Sequence, residues 1–212
     1  MNKNNLLVIL PIFAASWFLV TLVWGGIIYE NYNHSSQFIS ELGATGAVTG
    51  PFVNYLGFIP TQMFILIFIV LCTKIIPKNK YNILGMSFLV LYTLSLTVAA
   101  VFPCDFECRP ASPTLSHNIH IVSALPGYLG GAAAIFLISL GLDNWAPSKF
   151  FKNLGITLGM VLLLCFTNLD PNSQWVGLIQ RILEASIFIW LILLGKHIKT
   201  YCDDLQKNEA VN

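Results

Sequence analysis

Six apolar runs, at about 6–29, 51–73, 81–103, 118–142, 151–168 and 175–196, divide this chain and set what it can fold into. Each is close to the roughly 20 residues that an α-helix needs to cross the hydrocarbon core of a bilayer. In lipid every backbone N–H and C=O must be bonded within the segment, so runs of this length are helices. The expected fold is therefore all-α: a polytopic membrane protein, a six-transmembrane-helix bundle taking up 1–212 as one domain with short connections. Composition agrees, since 56% of the 212 residues are hydrophobic and 10% charged, with a mean hydropathy of +0.71. A soluble fold of this size could not bury that much apolar surface. The first run is too long, and its flank too weakly basic, for a cleavable signal peptide. A formal net charge of +1 without a basic cluster excludes nucleic acid as a partner.

Cations near membrane ends are retained on the cytoplasmic side. Lys3, Lys74, Lys78, Lys80, Lys149, Lys152, Lys196, Lys199 and Lys207 all fall on one side of such a bundle. The opposite connections, about 30–50, 104–117 and 169–174, hold Arg109 as their only Lys or Arg, beside Glu30, Glu41, Asp105, Glu107 and Asp170. Both termini are thus expected in the cytoplasm, in a multi-pass cell-membrane protein whose acidic connections face outward. Tyr29, Tyr32, Trp145 and Trp175 fit interfacial belts.

The first outward connection, Ser36 with Phe38, Ile39 and Leu42, reads as a short capped helix lying at the interface and ended by Gly43 and Gly46, a lid that would direct Glu41 back over the bundle. Pro11, Pro60 and Pro126, the last with Gly127, Gly130 and Gly131, predict kinks or close helix contacts.

Polar chemistry is concentrated between Phe102 and His120. Cys104 and Cys108 form a C-x-x-x-C pair on the side expected to be oxidising, where a disulfide is the plainer reading. The spacing also permits a thiolate zinc pair, although no second cysteine pair completes it. Cys72, Cys165 and Cys202 are scattered and read as small apolar residues. His117 and His120, three apart, share a helix face and, with Asp105 or Glu41, make candidates for a metal such as zinc or for a general base. In the sixth run, Arg181 is too costly to leave in hydrocarbon without a partner. It either pairs with Glu184 one turn on or, with Gln180, holds an anionic group of a ligand. Asp170 is the expected cap of that helix.

Ile39-Ser40-Glu41-Leu42-Gly43-Ala44, Phe102-Pro103-Cys104-Asp105 with Cys108, His120, and Gly177-Leu178-Ile179-Gln180-Arg181 together resemble a prokaryotic membrane family called domain of unknown function 998. The resemblance covers nearly the whole chain. It implies a six-span protein whose characteristic polar residues match Ser40, Glu41, Asn54, Cys104, Asp105, Cys108, His120, Gln180 and Arg181. A looser similarity to intramembrane hydrolases such as alkaline ceramidases is one of ingredients, because their H-x-x-x-H element is absent.

All these groups lie in the outward half, and no internal repeat is evident, which favours a site open to one side over a carrier. The leading expectation is an intramembrane hydrolase or transferase acting on a membrane lipid or lipid-linked substrate. Glu41, Asp105 and His120 would act as acid/base groups or ligands, with Ser40, Asn54, Gln180 and Arg181 binding a lipid or small anionic ligand. The alternatives are a ligand-binding or accessory protein without catalysis and, more weakly, a small-solute or ion carrier.

Overall fold

The computed structural model describes residues 3–211. Six long helices account for most of it: α1 (Leu6–Ile28), α2 (Gly50–Thr73), α3 (Lys80–Val101), α4 (Leu115–Gly141), α5 (Lys149–Thr167) and α6 (Val176–Val211). All six are long and apolar enough to span a membrane. Each packs on its neighbours in sequence, and α6 returns to α1, so the chain closes a ring. At one end lie Lys74 and Lys78 of the 74–79 connection, Lys149 and Lys152 in the first turn of α5, and the lysines of the α6 tail. At the other, the disulfide end, lie the connections 29–49, 102–114 and 168–175.

The outside of the bundle carries the large side chains that a soluble protein would hide. Ile12, Phe13, Leu19, Val20, Leu56 and Met63 are all exposed, as expected of helices whose outer surface meets lipid. The interior is organised by α6, on which Leu183, Ile187, Trp190, Leu191, Leu194 and Ile198 are all fully buried. Their spacing of three and four residues marks a single inward face. Between helices in lipid there is little hydrophobic driving force, and close packing takes its place. Gly195 lets α1 approach so nearly that an added Cβ would sit 1.9 Å from the Leu7 carbonyl oxygen, and at Gly130 one would sit 3.1 Å from the Phe88 oxygen.

Pro60 acts through the carbonyl it frees. Pro60 has no N–H for the Leu56 carbonyl, and the Trp17 indole of α1 donates to that oxygen instead, at 2.8 Å. The preceding turn, Val53–Phe58, is π-helical, a distortion that often accompanies such a break. Side-chain oxygens cap three helix starts: Asn79 accepts from the Asn82 N–H, Thr114 from His117 and Ser148 from Phe151.

Three local expectations are corrected. Ser36 does not cap the short helix after α1, a 3-10 turn over Ile39–Gly43; the Glu41 carboxylate accepts the Phe38 N–H there. That turn is no surface lid either, because Ile39, Glu41, Leu42 and Gly43 are buried and plug the disulfide end. Asp170 sits too far ahead of α6 to cap it and instead accepts from the Asn172 N–H in a tight turn, while Ser173 accepts from Trp175.

Candidate intramembrane cavity and its polar floor

Beneath the 3-10 plug the ring encloses a cavity of about 460 Å³, within the size range of small-molecule sites. Its walls are mainly apolar, with Phe18, Phe58, Leu96 and Phe166 among them. The polar side chains that reach it are Ser40, Asn54, Gln62, His120, Tyr128, Gln180 and Glu184.

The wall between α4 and α5 is thin near the disulfide end. On α4, burial lapses between His117 and Gly127, and on α5 the buried residues stop at Leu162. In that stretch Ile121, Val122 and Leu125 both line the cavity and are exposed, at 51, 69 and 50%. Pro126 stands where α4 passes from this open stretch into its packed remainder.

The floor is a directed hydrogen-bond network. The Ile39 N–H donates to Gln180 Oε1 at 2.7 Å, Gln180 Nε2 to the Tyr128 hydroxyl at 3.3 Å, and Tyr128 to Glu184 Oε1 at 2.8 Å. Tyr92 donates to the other Glu184 oxygen at 3.2 Å. Every donor points toward Glu184. Gln62 Oε1, buried and lining the cavity, has no partner.

His120 stands higher, about 8 Å along α4 from its start by helix rise. Its Nδ1 lies 2.7 Å from the Ala99 carbonyl oxygen and 3.2 Å from that of Phe102. Since carbonyls only accept, Nδ1 carries the proton and Nε2 keeps a free lone pair. Ser40 also lines the cavity, with its hydroxyl 3.4 Å from Cys108 Sγ, and Asn54 donates to the Gly43 carbonyl at 2.7 Å.

Glu41, Asp105 and Arg181 do not line the cavity. Glu41 is fully buried within the plug, where it accepts from Gln37 Nε2 at 2.8 Å and the Phe38 N–H at 2.9 Å, with Arg109 Nη2 3.4 Å away. Burial raises its carboxyl above the ordinary value, against the pull of the Gln37 and Phe38 donors and the Arg109 charge. Asp105 accepts from the Thr114 N–H at 2.8 Å and the Thr114 hydroxyl at 2.7 Å, and these bonds hold its carboxyl below the ordinary value. Its own N–H donates to His117 Nδ1 at 3.2 Å. Arg181 does not pair with Glu184. Nη1 donates to the carbonyls of His34 at 2.6 Å and Gly177 at 2.9 Å, and Nη2 to the Tyr32 hydroxyl at 2.9 Å and His34 Nδ1 at 2.8 Å. A helical side chain leans toward the N-terminus of its helix, which carries this guanidinium up to the loop and away from the cavity.

Cys104 and Cys108 are joined in a disulfide, 5.1 Å apart at Cα. The bridge holds a turn in which Glu107, at φ 57°, takes the left-handed conformation. The Cys104 carbonyl accepts from the Thr45 N–H at 2.8 Å, and Arg109 Nη2 donates to the Ser36 carbonyl at 3.1 Å. The bridged turn and Arg181 thus hold the plug from two sides. Among the described residues, no three of His, Cys, Asp and Glu come together as a metal set. The metal candidates Asp105, His117 and His120 are accordingly not assembled into one: Asp105 faces Thr114 and His117 Nδ1 already accepts a backbone proton.

A family model described as Protein of unknown function (DUF998) matches residues 12–197. The chain belongs to the DUF998 family. No curated protein and no solved structure matches it. The DUF998 match spans the plug, the disulfide and every cavity-lining residue named above, leaving out the start of α1 and the end of α6.

The sequence pointed to Ser40, Asn54, His120 and Gln180, which do share the cavity, but passed over Gln62, Tyr92 and Tyr128. Their signal was present, as polar side chains inside apolar runs about 51–73, 81–103 and 118–142, where such groups face the bundle interior.

Proposed function

We propose that this DUF998 protein binds one amphiphile of the bilayer, which slides in sideways between α4 and α5. The chain of the ligand lies along the apolar walls and its polar end rests between His120 and Glu184. The observation that carries this reading is the cavity of about 460 Å³ whose α4 lining, Ile121, Val122 and Leu125, is at the same time exposed on the side where lipid would lie. The lysine distribution supports placing the cavity in the extracytoplasmic half, with both termini in the cytoplasm. A binding role asks nothing of Glu41, Asp105 or Arg181 beyond holding the plug, which accords with their contacts.

Hydrolysis or group transfer is a second reading, supported by His120 alone. With Nδ1–H fixed on the Ala99 carbonyl, the ring is oriented and Nε2 is free to take a proton from a nucleophile in the cavity. In that reading His120→Gln abolishes turnover of an acyl-ester amphiphile while the protein stays folded in detergent.

The binding reading is tested by photo-crosslinking a chain-labelled phospholipid to the protein in lipid nanodiscs. Label is expected within 115–141 and 149–167, and Ala124→Trp, which fills the cavity, is expected to abolish it. Equal labelling of all six helices, unchanged by Ala124→Trp, would overturn the proposal.

A further inference from the structure

The cavity floor offers hydrogen-bond acceptors that are not fully met. Both Glu184 oxygens are already met by tyrosine hydroxyls, yet a carboxylate has about four acceptor positions and two remain. Gln62 Oε1 is buried without a partner and lines the same cavity. Among the described residues Glu184 makes no ion pair. Arg181, one turn away, is taken up by the loop. A buried acceptor left alone, and a carboxylate at membrane depth without a cation, are both costly.

We infer that the polar end of the ligand is a hydrogen-bond donor, a primary ammonium above all, whose N–H groups meet Gln62 Oε1 and Glu184. The inference rests on the binding reading above and reverses the expected charge of the ligand: Arg181 is turned away, so an anionic group would face Glu184. A hydroxyl can satisfy the same oxygens without supplying the charge. The ammonium could come from an amine-headed lipid of the bilayer or from a free long-chain amine.

The test uses the full chain in phosphatidylcholine nanodiscs with four 14-carbon probes: tetradecylammonium, tetradecanol, tetradecyltrimethylammonium and myristate. Thermal stabilisation and displacement of a photoreactive lipid are read for each. Tetradecylammonium is expected to bind at least tenfold more tightly than myristate or the trimethylammonium, which keeps the charge but has no N–H. Tetradecanol should fall between them. Glu184→Gln is expected to remove the preference for ammonium over alcohol. Gln62→Leu should weaken both, and it serves if Glu184→Gln does not fold. Nanodiscs containing phosphatidylethanolamine separate the sources: stabilisation without added amine identifies the lipid head group, and its absence identifies the free amine, either supporting the inference. If all four probes bind alike, or myristate binds best, the donor inference is overturned while the binding reading stands. If none binds or displaces the lipid, the binding reading itself fails.

Discussion

Replacing Arg181 with Met keeps the length of the side chain and removes the guanidinium that ties the plug to α6. Three well-formed bonds to oxygen are lost, to the carbonyls of His34 and Gly177 and to the Tyr32 hydroxyl. A hydrogen bond to a charged group contributes about 1.5–3 kcal/mol. The site is half-buried and reachable by water, so the three together come to about 2–4 kcal/mol after screening. For a chain of this size that corresponds to a fall in Tm of roughly 5–15 °C. Arg181→Lys, with a point charge in place of a planar fork, should recover only part of it. Thermal unfolding in detergent reads the loss, and limited proteolysis between residues 30 and 38 shows whether the loop has been released. A Tm and a cleavage pattern like those of the unmodified chain, combined with loss of lipid labelling, would refute this reasoning and return Arg181 to a ligand-binding role.

Three further outcomes are expected. Replacing Cys104 and Cys108 together with Ser opens a very small loop and should cost about 2 kcal/mol on chain-entropy grounds, read as a lower Tm that reducing agent no longer changes. Gly195→Ala drives a methyl group against the Leu7 carbonyl and should destabilise by about 1–3 kcal/mol, checked by unfolding in detergent. Asp105, held below its ordinary value by the Thr114 donors, contributes stability that is complete above about pH 4 and lost as pH falls through its folded value. Melting curves between pH 3 and 7 should therefore flatten in Asp105→Asn.

The six spans could be read from the sequence because lipid imposes a single solution on a long apolar run, and composition reports that directly. The bounds differ mainly at the end of the chain, where α6 continues to Val211 as a helix bearing the Lys199–Asp203 pair. The candidate site was harder, since spacing along a helix does not reveal where a long side chain ends. Arg181 and Glu184 are three apart, yet one leans up to the loop and the other faces the interior. Glu41 and Asp105 have the chemistry of acid/base groups, but what they do here follows from the backbone N–H groups of Phe38 and Thr114, whose positions no residue pattern discloses. The tyrosines that complete the floor come from α3 and α4, and only the ring of helices brings them to Glu184.

The most direct measurement is an experimental density map of the full chain in lipid nanodiscs, at a resolution that separates acyl chains from side chains. The account predicts continuous density running between α4 and α5 past Val122, with its polar end within hydrogen-bond distance of Gln62 or Glu184. A cavity closed off at Ile121, Val122 and Leu125, or filled by water with no chain entering it, would contradict it.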